Sequence, residues 1–67
     1  MTPNEKAAFI MAQTEIMRSE RILMESENED RSRRGFAPAN GPSQWAEFHT
    51  RWESVLGYNA LISFFRE

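Results

Sequence analysis

Gly35-Phe36-Ala37-Pro38-Ala39-Asn40-Gly41-Pro42 sets two glycines and two prolines within eight residues. Proline lacks an N–H and fixes φ, and glycine readily ends helices, so the stretch belongs to neither flanking element. It reads as a linker over 35–42 that divides 67 residues into two long arms.

The N-terminal arm opens on Thr2-Pro3-Asn4-Glu5, a capping box with proline at the first helical position. From Asn4 to Arg34 there is no glycine or proline. Glu27 with Arg31, Glu29 with Arg33 and Asp30 with Arg34 place acid before base at i, i+4, the favourable order in a helix. Gly35 then suits the left-handed position after a helix, with Arg31, Arg33 and Arg34 meeting the carbonyl end of the dipole. Helix 1 is expected over about 3–34. Its weak stretch is Ser26 to Ser32, where Asn28, Asp30 and two serines lower helix propensity, and a break there is the alternative.

After the linker, Ser43 is the expected N-cap. Trp45, Phe48, Trp52, Val55, Leu56, Asn59, Ile62 and Ser63 recur at helical spacing, which predicts a second amphipathic helix over about 43–66. No segment alternates with period two for long enough to compete as a strand. The fold class is therefore all-α, one domain over 1–67: a two-helix antiparallel hairpin. A chain this short without cysteine needs very regular helices or a second chain to complete its core. Dimerisation into a four-helix bundle is the expected route.

Helix 1 carries two neighbouring columns, Phe9, Ile16, Leu23 and Ile10, Met17, Met24, the first continued by the small residues Ala12 and Ser19. Between them project Lys6, Gln13, Glu20 and Glu27. This pattern suits two adjacent seams, one for helix 2 and one for another helix; the alternative is one broad face past which long polar stems extend. Helix 2 holds six of the eight aromatics, and Trp45, Phe48 and Trp52 suit a core stripe. Those residues and Asn59 are the expected core or dimer seam. Tyr58, Leu61, Phe64 and Phe65 leave the stripe and form an expected contact surface. Gly57 lies within helix 2 at a cost of about 1 kcal/mol relative to alanine, which suggests a need for space or a kink. Asn59 on the apolar face requires a hydrogen-bond partner or water.

The chemistry of this composition is sparse. With no cysteine, disulfides and thiolate zinc sites are excluded. The lone histidine, His49, falls beside Trp45 and Trp52 with Glu53 at i+4, and reads as packed or interfacial. Glu20 could add one further metal ligand, still short of the four of a structural zinc site. There is no phosphate loop and no nucleophile with a matching base, so no enzyme activity and no cofactor are expected.

A net charge of −2 excludes a broadly basic nucleic-acid surface. Arg31, Arg33 and Arg34 could nonetheless hold phosphates with Phe36 stacking on a base, although Glu27, Glu29 and Asp30 sit one turn away and would repel the same phosphates. No apolar run is long enough to span a membrane and no signal peptide is evident, so an intracellular, cytoplasmic setting is expected.

A short cysteine-free chain with a complete capping box at Thr2 to Glu5, no catalytic set and an aromatic end at Tyr58 to Phe65 resembles the small acidic inhibitor proteins of bacteriophages and mobile elements, the anti-CRISPR proteins among them. The resemblance covers architecture and no functional residue. It implies a protein partner, a host defence complex of a bacterial cell, bound stoichiometrically. The expected contact residues are Tyr58, Leu61, Phe64 and Phe65 at one end, with Glu25, Glu27, Glu29, Arg31, Arg33 and Arg34 at the other. Competing readings are a dimeric helical nucleic-acid-binding regulator using the three arginines, and a structural subunit of a larger assembly.

Overall fold

The computed structural model describes residues 1–67 as an all-α hairpin whose second arm is in two pieces: α1 (Pro3–Arg33), α2 (Pro42–Leu56) and α3 (Tyr58–Arg66). The capping box forms as the sequence predicts: Thr2 Oγ1 accepts from the Glu5 N–H at 3.1 Å, and Glu5 Oε1 accepts from the Thr2 N–H at 3.1 Å. At the far end Gly35 adopts φ 78°. Its N–H donates to the Ser32 carbonyl at 3.1 Å, and the Phe36 N–H donates to the Arg31 carbonyl at 2.8 Å. Those two bonds are the Schellman closure, which satisfies carbonyls that the helix leaves open.

Helix 1 runs unbroken through 26–32 despite its low-propensity residues. Asn28 explains this, because its side chain is spent on the linker instead of competing with its own backbone. Asn28 Nδ2 donates to the Asn40 carbonyl at 2.9 Å, and the Asn40 N–H donates to Asn28 Oδ1 at 2.8 Å. Asn40 Nδ2 reaches on to the Met24 carbonyl at 2.9 Å. Two asparagines thus clasp the linker to the helix it has just left.

The second arm corrects two expectations. The N-cap of α2 lies two residues earlier than expected, at Gly41 in place of Ser43, with Pro42 at the first helical position. Gln44 Oε1 accepts from the Gly41 N–H at 2.9 Å and from the Ser43 hydroxyl at 3.1 Å, so Ser43 lies inside the first turn. The arm is also not one helix over 43–66. Gly57 turns to ψ 160° and ends α2, and the Leu61 N–H donating to the Gly57 carbonyl at 2.9 Å begins α3. A Cβ at Gly57 would stand 2.4 Å from the Glu53 carbonyl oxygen, so this break accepts only glycine without rearrangement.

The two arms meet along one seam of α1, made by Lys6, Ile10, Gln13, Met17, Glu20 and Met24, all buried or half-buried. The column Ile10, Met17, Met24 is therefore the inner one. The polar row does not merely border this seam, because three of its members lie in it and two find partners across it. Glu20 accepts from Arg51 Nη2 and, at 3.2 Å, from Trp52 Nε1. Lys6 Nζ donates to the Phe64 carbonyl at 2.9 Å and to the main-chain oxygen of Glu67. Glu27, the fourth member, is exposed.

The molecule is long and flat, 50 × 19 × 11 Å. Two of its 67 residues are buried: Phe48, which packs edge-on against Trp45 with centroids 5.7 Å apart, and Lys6. Thin packing of this kind leaves much apolar surface in water.

Candidate partner-binding surfaces

The aromatic end divides in two. Tyr58 opens α3 and is 79% exposed, and Phe65 is 46% exposed. Leu61 and Phe64 turn inward and are half-buried. The Phe64 ring stacks on Phe9 of α1 with centroids 5.4 Å apart, and Phe65 meets Phe64 edge-on at 5.5 Å. Lys6 Nζ lies 5.6 Å from the centre of the Phe64 ring while it caps the last carbonyls of α3. Helix carbonyl ends attract cations, so one buried lysine both closes α3 and fixes its angle on α1. The sequence assigned Lys6 only to a polar row. A lysine one turn from the N-terminus, in line with Ile10 and Gln13, was the available signal.

Asn59 is exposed and not in the seam, because the break at Gly57 reorients α3 and turns that position out. His49 is likewise not packed: its side chain is 79% exposed, with Nε2 3.4 Å from Glu53 Oε2. The buried stripe of α2 centres on Phe48, Trp52 and Val55, and a residue one position after Phe48 turns about 100° away from it. A hairpin two layers deep does not wrap that far. An open groove of about 320 Å³ runs beside it, lined chiefly by Met17, Phe48, Trp52 and Leu56. Glu20 is committed to Arg51 and Trp52 and does not join His49. Nowhere do three potential metal-ligating side chains come together.

At the charged end of α1, Glu25, Glu27 and Glu29 are exposed. Two of the three expected ion pairs, Glu27 with Arg31 and Glu29 with Arg33, are absent. Arg31 turns to the linker instead, where Nε donates to the Ala37 carbonyl at 2.7 Å and the guanidinium lies 5.7 Å from the centre of the Phe36 ring. Arg33 and Arg34 both approach Asp30, at 3.9 and 3.4 Å, and Arg21 lies 3.8 Å from Glu25.

Beyond the contact of Phe9 with Phe64, the other column of α1 is uncovered. Phe9, Ala12, Ile16, Ser19 and Leu23 are exposed, Ile16 to 53% and Leu23 to 65%. Phe9 gives one side of its ring to Phe64 and leaves the rest open. The residue spacing anticipated two seams on α1, and the hairpin fills the one made by Ile10, Met17 and Met24 and leaves this column exposed.

Of the titratable groups, Glu5 is distinguished: the N–H and hydroxyl of Thr2 hold its carboxyl below the usual value of 4.5. Its role is helix capping. No helix is long and apolar enough to cross a membrane. No protein-family model matches the chain, and comparison with curated proteins and with solved structures finds no match.

Proposed function

We propose that the chain is a small non-enzymatic protein-binding module whose apolar faces are completed by other chains. One observation carries this reading: a single apolar residue, Phe48, is buried, while Phe9, Ile16, Leu23, Tyr58 and Phe65 all lie substantially in water. Phe9, Ile16 and Leu23 follow one another along one face of α1, and an exposed apolar face of this kind marks a contact site. The aromatic end supplies the anchors, Tyr58 and Phe65, on a helix tied to α1 through Lys6 and through the stacking of Phe64 on Phe9. Rigid aromatics on a fixed element are the residues that dominate binding energy in interfaces. Glu25, Glu27 and Glu29, unpaired with the arginines beside them except for the long contact of Glu25 to Arg21, would steer a basic partner.

The form of the function is a stoichiometric inhibitor of a host defence complex, as the resemblance to phage proteins implies. Self-association into a helical bundle belongs to the same proposal. Nucleic-acid binding is the weaker reading, because Arg31 is engaged with Phe36 and Ala37 and the other two arginines share Asp30.

The test is capture of a complex from bacterial lysate, followed by titration of the identified protein against wild type and the Tyr58→Ala/Phe65→Ala pair. The expected result is a defined complex that the double substitution weakens at least about tenfold, the scale of hot-spot residues. Tight, strongly salt-dependent binding to naked duplex, abolished by replacing Arg31, Arg33 and Arg34, would overturn it.

A further inference from the structure

The outer face of α1 has a pattern that specifies its own partner. Six exposed residues at alternating steps of three and four run along it: Phe9, Ala12, Ile16, Ser19, Leu23 and Ser26. Large and small side chains alternate without exception. We infer that this face is the interface of an antiparallel homodimer in which every layer sets one large side chain against one small one.

The register follows from the spacing. With the two-fold axis at the level of Met17 and Arg18, Phe9 faces Ser26 of the partner subunit, Ala12 faces Leu23 of the partner subunit and Ile16 faces Ser19 of the partner subunit. Symmetry repeats the three layers in reverse, as an isologous contact requires. Each layer then holds a similar volume, and helices can approach closely while filling the space between them. A parallel pair would instead stack Phe9, Ile16 and Leu23 each on its own copy, with layers of Ala12, Ser19 and Ser26 between. Such a seam alternates overfilled and empty layers.

The exposed area fits the same conclusion. The chain exposes 5245 Å², whereas a folded monomer of its mass would expose roughly 4,400 Å². The excess of roughly 850 Å² is close to the ~800 Å² that each partner contributes to an interface of standard size. Antiparallel α1 helices also oppose their dipoles favourably, bringing the acidic first turn of one to the basic last turn of the other. Glu5 comes level with Asp30 of the partner subunit, a like-charge approach relieved by the arginine one turn on: Arg34 already lies 3.4 Å from Asp30 within its own chain.

This assignment rests on the reading of the chain as a module completed by other chains, and its test leaves Tyr58 and Phe65 untouched. Sedimentation equilibrium across the micromolar range should give twice the 7.8 kDa chain mass, and Ile16→Glu should return it to one chain with helix content unchanged. Because the chain has no cysteine, register can be read by disulfide formation. A mixture of Ala12→Cys and Leu23→Cys chains should oxidise to the mixed dimer. Ser26→Cys alone should not cross-link, since its two copies lie roughly 25 Å apart along the axes at ~1.5 Å per residue. A one-chain mass throughout, a doubled mass that survives Ile16→Glu, or efficient cross-linking of Ser26→Cys to itself would each overturn the inference. A one-chain mass with an intact Tyr58-dependent complex would remove the dimer and keep the protein-binding module.

Discussion

Lys6→Met should be among the most damaging single substitutions in the chain. Lys6 is 7% exposed, and methionine keeps most of its stem while removing the ammonium. The loss is the bond to the Phe64 carbonyl, with the second bond to Glu67 at the open end of α3 counting for little. A hydrogen bond to a charged donor contributes about 1.5–3 kcal/mol, and a cation at a helix C-terminus about 0.3–1 kcal/mol. Relief of ammonium burial offsets part of this, leaving about 2 kcal/mol. A chain of this length has a total stability of roughly 3–10 kcal/mol, so that loss is a large share. At about 4–8 °C per kcal/mol for a domain this small, Tm should fall by about 8–16 °C. Far-UV circular dichroism melts at fixed protein concentration would read this. Amide exchange should show the last turn of α3 losing protection first. Arg18→Met is the control, since Arg18 makes only an exposed pair with Glu15 at 3.4 Å and should cost under about 0.5 kcal/mol. If Lys6→Met melts with Arg18→Met, the lysine does not hold α3, and the account of how the second arm is fixed is wrong.

Three further outcomes are expected. Gly57→Ala, which in an ordinary helix would stabilise by about 1 kcal/mol, should lower stability by about 1–2 kcal/mol because its Cβ meets the Glu53 carbonyl, and a raised Tm would mean that the second arm runs straight through that position. Asn28→Ala should destabilise by about 1–2 kcal/mol despite better helix propensity, as two bonds to Asn40 are lost; urea titration reads the sign, and stabilisation would refute the clasp. The Glu5 carboxyl titrates below its ordinary value when folded, so its contribution is present above pH 4.5 and is lost as pH falls through the lowered value. Protection of the first-turn amides should decline over that window in wild type and show no such step in Glu5→Gln.

Much of this protein is local and was therefore legible in the residues themselves. The capping box at Thr2 to Glu5, the glycine stop at Gly35 and the proline-rich linker act within a few residues, through backbone geometry that no distant contact needs to supply. The two columns on α1 were legible for the same reason: helical periodicity assigns a side chain to a face wherever the helix is placed. Periodicity does not say which face the hairpin will take. That choice fell to Ile10, Met17 and Met24 because Lys6 and Glu20 on the same side find partners in Phe64, Arg51 and Trp52. Those partners are more than 30 residues away in the chain, beyond the reach of any local rule. The break at Gly57 was legible only as a glycine that suggested a need for space or a kink, since its direction depends on where the C-terminal carbonyls of α3 meet Lys6. The exposure of Asn59 follows from that break. The exposure of His49 has a different cause, because a hairpin only two layers deep buries a narrower stripe of its second arm than apolar spacing alone suggests.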